Sequence, residues 1–209
     1  MVTLLWCAHR YCVMIVMDFA TLKARLNLPN GAEDYWHRHI NKLPDGREEE
    51  GGWVQNSASV APTVFVNKNA VIADYANVGD NVRIEDYAVV ARRAIIRDKV
   101  CIAGKAVVTD DSKITGHAKI THSAFIDKRV RIDGYVTIVG KAHISDDAVL
   151  IEKAMVAGNA RIRGNAHISG SVVIAGSAVV EGTARFLGTW RLDGGTWDSG
   201  VHTGEVTRH

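Results

Sequence analysis

The chain has 209 residues, of which 47% are apolar and 23% are charged, and its formal net charge is +2. This balance is typical of a soluble globular protein, and the scarcity of proline excludes a collagen-like or disordered chain. Three cysteines, Cys7, Cys12 and Cys101, are too few for a disulfide scaffold or a zinc ribbon, and the small net charge argues against nucleic acid as a partner.

The first 17 residues are apolar, but His9 and Arg10 interrupt them and the run is too short to span a bilayer. They lack the basic start and the small-residue cleavage site of a signal peptide, so neither export nor a membrane partner is expected. We expect a strand or a β-hairpin packed on the rest of the chain. The alternative is that translation starts at Met14 or Met17.

Two short helices are predicted next. A helix over 18–28 is indicated by large apolar residues that share one helical face, namely Phe19, Leu22 and Leu26. A second helix over 32–43 is indicated in the same way by Tyr35, Trp36, Ile40 and Leu43. The charged run 47–50 is expected to be a solvated loop. Residues 1–50 are therefore predicted to be a small α or α+β region with a capping or oligomerisation role.

From Ala58 to Leu192 the sequence repeats every six residues, through 23 units without insertion or deletion. Each unit has a small residue at one position and an aliphatic residue two positions later, except for Phe186 and Trp190 near the end, and Ser112 is the single polar residue at these 46 positions. Residues two apart share one face of a strand, so each unit predicts a short strand followed by a turn. The turn positions hold residues that tolerate positive φ, as in Asp80-Asn81, Asp110-Asp111, Asp146-Asp147, Gly158-Asn159 and Gly164-Asn165.

This alternation resembles the hexapeptide repeat of left-handed parallel β-helices, in which three hexapeptides form one triangular coil. The resemblance implies an all-β solenoid of seven to eight coils over residues 51–194. The leading Gly51-Gly52-Trp53-Val54 is similar to a subset of these proteins found in bacteria and bacteriophages. Trp53 at one end, and Trp190 with Trp197 at the other, are expected to cap the solenoid. The tail 195–209 is expected to be loosely ordered or to wrap a neighbour.

Every third unit returns to the same face, so the outward residues form three stripes. Two stripes contain apolar stretches that predict an oligomer interface, formed by Val71, Val89, Val107, Phe125, Thr137, Val139, Met155 and Val173. A contact between two different faces closes a ring, and the resemblance implies a homotrimer. The competing expectation is that residues 1–50 fold back over the stripe from Val71 to Phe125.

Acyl transfer is the enzymatic alternative that the resemblance implies, with acetyl-CoA as the cofactor and a histidine as general base. His143 is the best candidate base, because it ends an apolar stripe where a subunit boundary would pass. His117 and His122 are weaker candidates. No loop interrupts the repeat, and the lack of such a loop counts against an enzyme because loops of this kind carry binding residues.

A zinc site is the third alternative. His117 and His122 resemble a ligand pair of the γ-class carbonic anhydrases, which are β-helix proteins. The pair sits one position later in the hexapeptide than expected, and no histidine between His39 and His117 supplies the third ligand that catalytic zinc needs. No metal and no cofactor are therefore predicted, and the carbonic-anhydrase-like metalloprotein stays an alternative.

The sequence favours a non-catalytic structural or interaction protein, a rigid homotrimeric prism whose first partner is itself. The resemblance to bacteriophage proteins implies a virion decoration or fibre component as one form of this function. Its further partners are then other virion or cell-surface proteins. The expected location is the cytoplasm, or the virion if a bacteriophage encodes the chain.

Overall fold

The computed structural model describes residues 17–208, so the hairpin predicted for the first residues lies outside the described part. Helix α1 (Phe19–Leu26) and a 3-10 turn (Ala32–Tyr35) come first, followed by strands β1 (Trp36–Lys42) and β2 (Glu48–Gln55). The helix predicted over 18–28 is confirmed: Asp18 accepts a hydrogen bond from the Thr21 N–H, and Asn27 ends the helix in the left-handed region. Within residues 17–208 no helix is long and apolar enough to cross a membrane.

The other strands are mostly two residues long and recur every six residues. In chain order they are β3 (Ser59–Val60), β4 (Phe65–Val66), β5 (Val71–Ile72), β6 (Asn77–Val78), β7 (Arg83–Ile84), β8 (Val89–Val90), β9 (Ile95–Ile96), β10 (Cys101–Ile102), β11 (Val107–Val108), β12 (Lys113–Ile114), β13 (Lys119–Ile120), β14 (Phe125–Ile126), β15 (Arg131–Gly134), β16 (Thr137–Ile138), β17 (His143–Ile144), β18 (Val149–Glu152), β19 (Met155–Val156), β20 (Arg161–Ile162), β21 (His167–Ile174), β22 (Val179–Val180), β23 (Arg185–Leu192), β24 (Thr196–Trp197) and β25 (Val201–Arg208).

These strands wind into a left-handed parallel β-helix of about eight turns, which confirms the predicted fold. From β5 to β20 each strand pairs in parallel with the strand eighteen residues further along, as Val107 pairs with Phe125. Face 1 contains β2, β5, β8, β11, β14, β17, β20, β22 and β24. Face 2 contains β3, β6, β9, β12, β15, β18 and the start of β21. Face 3 contains β4, β7, β10, β13, β16, β19 and the end of β21.

The interior of the prism is filled by the repeated small and aliphatic residues. Every one of these positions from Val64 to Leu192 is buried, whereas Ala58 and Val60 in the first coil are only partly buried. Burying one isoleucine side chain stabilises the fold by roughly 1.5–3 kcal/mol, so stability accumulates coil by coil. The polar Ser112 is accommodated because its hydroxyl donates to the Thr109 carbonyl at 2.8 Å.

The corners confirm the predicted turns. A residue with positive φ recurs every six positions from Asp74 to Gly188. At six of these positions an aspartate accepts a hydrogen bond from the backbone N–H of the turn residue one coil further on. These aspartates are Asp74, Asp80, Asp86, Asp98, Asp110 and Asp146. The carboxylates thereby satisfy corner N–H groups that the strand ladders leave unpaired.

The second predicted helix is wrong, because residues 36–42 form β1 and pair antiparallel with β2. The predicted loop 47–50 is also wrong, since Glu48 is already the start of β2 and lies opposite Lys42. The spacing of Trp36, Ile40 and Leu43 is compatible with a helix as well as with a strand. The turn at Gly46 brings β2 alongside, and the hydrogen bonds between β1 and β2 favour the strand.

β1 closes the first coil through two buried polar side chains. Asn41 donates from Nδ2 to the Val66 carbonyl at 3.0 Å and accepts from the Val66 N–H at 2.8 Å. His39 Nε2 donates to the Val64 carbonyl at 2.8 Å. These side chains act as the strand partner that the first coil lacks, so this end of the solenoid presents no open edge there.

Trp53 does not cap the end of the solenoid, contrary to expectation. It lies outside the core on face 1, paired with Val71, and its Nε1 donates to the Met17 carbonyl at 2.8 Å. The Phe19 ring meets its indole edge-on at a centroid distance of 5.3 Å. Trp53 therefore anchors the N-terminal segment to face 1.

The C-terminal tail continues the solenoid, so the expectation of a loosely ordered tail is wrong. Thr196 pairs with Val179, and Val201 pairs with Arg185. Trp190 and Trp197 lie at this end as predicted. They form an aromatic cluster with Phe186 and His202, with ring centroids 4.5–5.7 Å apart.

Replacing Asn41 with alanine should lower the free energy of unfolding by about 1–3 kcal/mol, because the N–H and carbonyl of Val66 lose their buried partner. Urea unfolding measures this change. The exposed Asn81 is the matched control, and Asn81→Ala should leave stability nearly unchanged. Equal effects of the two substitutions would contradict this role of Asn41.

Burial lowers the pKa of His39, so acid should destabilise the N-terminal cap. In the unfolded chain His39 has its ordinary pKa of about 6.5, whereas the folded chain disfavours the protonated imidazole. The contribution of neutral His39 to the free energy of unfolding is therefore complete above about pH 6.5 and is lost as pH falls below it. The urea midpoint should be lower at about pH 5.5 than at about pH 7.5. His39→Gln should reduce this difference between the two midpoints. Burial also lowers the pKa of His167, so His167→Gln measures how much that residue contributes to the same difference. An unchanged difference in His39→Gln would refute the assignment.

Candidate functional site

The outward side chains of face 1 form one column along the solenoid axis. Successive strand pairs place these residues one coil apart, in the order Trp53, Val71, Val89, Val107, Phe125, His143, Arg161 and Val179. The column is apolar up to Phe125 and polar at the next two coils. His143 therefore lies where the two parts of the column meet.

The N-terminal segment covers the beginning of this column. Met17, Leu22 and Trp36 are buried against Val71, and partly buried residues, Val89 among them, pack against this cluster. Arg25 of α1 contacts the solenoid by donating a hydrogen bond to the Tyr87 carbonyl at 2.6 Å. The competing expectation, that the N-terminal region folds back over the stripe, holds for these first coils. Val71 is 0% exposed, so it has no surface to offer to a second copy.

His143 and Asp127 form a hydrogen-bonded pair on face 1. His143 Nε2 lies 3.1 Å from Asp127 Oδ1, and the Phe125 ring packs beside the imidazole at a centroid distance of 5.1 Å. The carboxylate holds the tautomer in which Nε2 carries the proton, which leaves Nδ1 able to accept one. Within residues 17–208, Nδ1 has no hydrogen-bond partner. The pair is the arrangement of an oriented general base.

A cavity of about 320 Å³ adjoins His143, and the residues that line it are Lys128, His143, Ser145, Asp146, Arg161 and Arg163. Lys128 is paired with Asp146 at 2.5 Å, and Arg163 is paired with Glu181. The bond to Lys128 is the main reason why the pKa of Asp146 lies below its ordinary value. Arg161 has no ion-pair partner in the described chain, so its guanidinium is available to an anionic group beside His143.

Sequence reasoning identified His143 but missed Asp127. The two residues are sixteen positions apart, and their contact depends on how far side chains reach across neighbouring coils. The signal that could have found Asp127 is its outward position beside Phe125, in the coil directly before His143.

The structure does not bring His117 and His122 together. His117 lies at the corner between faces 2 and 3, where its ring stacks on Tyr135 at 4.7 Å. His122 lies at the corner between faces 3 and 1, with Nδ1 3.0 Å from the Thr121 hydroxyl. Among residues 17–208, no group of three or more His, Cys, Asp or Glu side chains could hold a metal ion.

The other predicted interface residues lie on face 3, in three successive coils. They are Thr137, Val139, Met155 and Val173, and their strands are neighbours. Met155 is 38% exposed, and the other three are half-buried. In contrast to the first coils of face 1, no helix of the described chain packs on this stretch.

No protein-family model and no curated protein matches this chain. Among solved structures, the chain is similar to the UDP-N-acetylglucosamine acyltransferase from Campylobacter jejuni, at 21% sequence identity and a TM-score of 0.38. The match covers 64% of this chain and 66% of that chain.

Proposed function

We propose that this chain catalyses acyl transfer from a thioester such as acetyl-CoA to a hydroxyl or amine acceptor, with His143 as general base. The observation that carries the proposal is the His143–Asp127 hydrogen bond at the edge of a cavity. A histidine oriented by a carboxylate is suited to removing a proton from an acceptor. The choice of a thioester donor comes from the resemblance to the hexapeptide-repeat superfamily.

The proposed reaction assigns a role to three side chains. His143 Nδ1 accepts the proton of the acceptor while the acceptor oxygen or nitrogen attacks the thioester carbonyl carbon. The new C–O or C–N bond forms, the C–S bond breaks, and the leaving thiolate takes the proton back from the imidazolium. Asp127 stabilises the imidazolium, and Arg161, one coil above His143, stabilises the oxyanion.

In this proposal the substrate is bound by side chains of the coils that line the cavity, not by an extruded loop. Strands recur without an extruded loop through the described repeat, so residues 17–208 place no such loop over the cavity beside His143. A second copy packed on face 1 beside Phe125 would exclude water from this site. Self-association and catalysis are therefore compatible functions of the same face.

Thiol release from acetyl-CoA, measured with a panel of amine and hydroxyl acceptors, tests the proposal. His143→Gln should lower the rate by roughly 10²–10⁴-fold, because the general base is lost. Asp127→Asn should lower it as well. The matched control is His122→Gln, an exposed corner histidine whose replacement should leave the rate unchanged.

Binding of acetyl-CoA gives an independent readout. A donor that binds the folded chain raises the melting temperature by mass action. If millimolar acetyl-CoA leaves the melting temperature unchanged and no acceptor supports thiol release, the acyl-transfer proposal is wrong. Equal rates for His143→Gln and His122→Gln would also overturn it.

A second candidate function rests on the apolar stretch of face 3. Val139, Met155 and Val173 occupy three successive coils, and an apolar stretch of this kind is typical of an interaction surface. We infer a self-associating scaffold in which this stretch contacts Val107 and Phe125 on face 1 of the next copy. A homotrimer is the expected assembly, and a virion decoration or fibre is one setting for such a rigid prism.

One substitution on each face tests self-association. Phe125, Ile95 and Met155 lie on faces 1, 2 and 3 and are 36%, 37% and 38% exposed, so aspartate at each position adds a similar charge to a similar surface. Phe125→Asp and Met155→Asp should lower the mass measured by light scattering, and Ile95→Asp should leave it unchanged. A monomeric wild-type chain, or equal behaviour of all three variants, would contradict the scaffold.

A further inference from the structure

A second cavity lies at the corner between faces 2 and 3, on the far side of the prism from His143. Its volume is about 360 Å³, and the residues that line it are Tyr135, Glu152, Lys153, Gly170 and Ser171. These residues belong to three successive coils, because the Tyr135 N–H donates to the Glu152 carbonyl and the Lys153 N–H donates to the Gly170 carbonyl. Neither the proposed acyl transfer nor the proposed self-association uses this corner.

Tyr135 provides a flat aromatic wall. Its side chain is 60% exposed, although a tyrosine ring favours burial of its apolar body. His117 from the preceding coil stacks against one side of the ring, with a centroid distance of 4.7 Å and an interplanar angle of 14°. The cavity borders the other side, since its remaining lining residues belong to the following coils. The stack holds the ring in one orientation.

The polar groups around this wall form no ion pair and no side-chain hydrogen bond with one another, and the charge of Glu152 also acts on the nearby His167 imidazole. Within residues 17–208, the Glu152 carboxylate and the Lys153 ammonium form no salt bridge, and the Ser171 hydroxyl forms no hydrogen bond. All three residues are exposed. Gly170 carries no side chain, since an added Cβ would clash with the Gly188 carbonyl oxygen, so the backbone itself lines the cavity at this coil. A notch lined by Glu152, Lys153, Gly170 and Ser171 therefore lies beside Tyr135.

We propose that this notch binds a sugar ring. The apolar face of a pyranose stacks on Tyr135, and its hydroxyl groups donate to Glu152 and accept from Lys153 and Ser171. The opposite charges of Glu152 and Lys153 favour a neutral ligand over an ion, and hydroxyl groups can serve as both donors and acceptors. The cavity volume lies near the lower end of the range for small-molecule sites, which suits a single ring.

Saturation-transfer NMR with methyl β-D-glucopyranoside, methyl β-D-galactopyranoside and N-acetyl-D-glucosamine tests the proposal on the full-length chain. An open site of this kind should bind at least one of them with a Kd on the order of 1 mM. Tyr135→Ala should weaken that binding about tenfold or more, since the stacking surface is lost. Tyr135→Phe should retain most of it, because the ring itself provides the stacking.

Tyr75 is the matched control, because it is 72% exposed and lies at a different corner. Tyr75→Ala should leave binding unchanged, whereas Glu152→Ala should weaken it several-fold. The proposal is overturned if none of the three sugars binds the wild-type chain, or if Tyr135→Ala and Tyr75→Ala bind equally. These readouts are independent of His143, so loss of acyl transfer in His143→Gln has no bearing on them.

Discussion

The stacking of coils in parallel register is the constraint on which the whole structure depends. A two-residue strand contributes little stability alone. Its backbone N–H and carbonyl groups are satisfied because the strand eighteen residues further along follows the same path, as the pairing of Val107 with Phe125 shows. An insertion would move inward side chains outward, because the side-chain period of a strand is two. The repeat from Ala58 to Leu192 contains no insertion, and nearly all its small and aliphatic positions are buried.

A stacked solenoid has two ends, and at each end the open strand edge and the exposed core must be covered by other residues. At the N-terminal end Asn41 and His39 bond the edge of the first coil with side-chain groups, while α1 covers the adjoining part of face 1. At the C-terminal end the core is closed by the ring cluster around Phe186. The N-terminal part lies outside the hexapeptide repeat, and at the C-terminal end aromatic residues occupy inward repeat positions, because end residues have no further coil to pack against.

The outward positions are free of the packing constraint, and both candidate sites lie there. Stacking places residues eighteen apart in vertical columns, so a functional group meets its neighbours in the coils above and below. On face 1 this gives Phe125, His143 and Arg161, with Asp127 beside the imidazole. At the opposite corner it gives His117, Tyr135 and Lys153. Within residues 17–208, strands and tight turns thus hold each group, which suits pre-organised sites.

The sequence by itself determined the short strands, the inward core positions and the turn positions, because residues two apart share one face of a strand, and the resemblance to hexapeptide repeats implied the solenoid. It also singled out His143. Tertiary structure decided what the local pattern leaves open. Trp36 and Ile40 fit a helix or a strand until β2 lies alongside, and Val71 is outward in the repeat yet covered by α1. The contact of His143 with Asp127 likewise depends on side chains reaching across coils, a distance that periodicity does not specify.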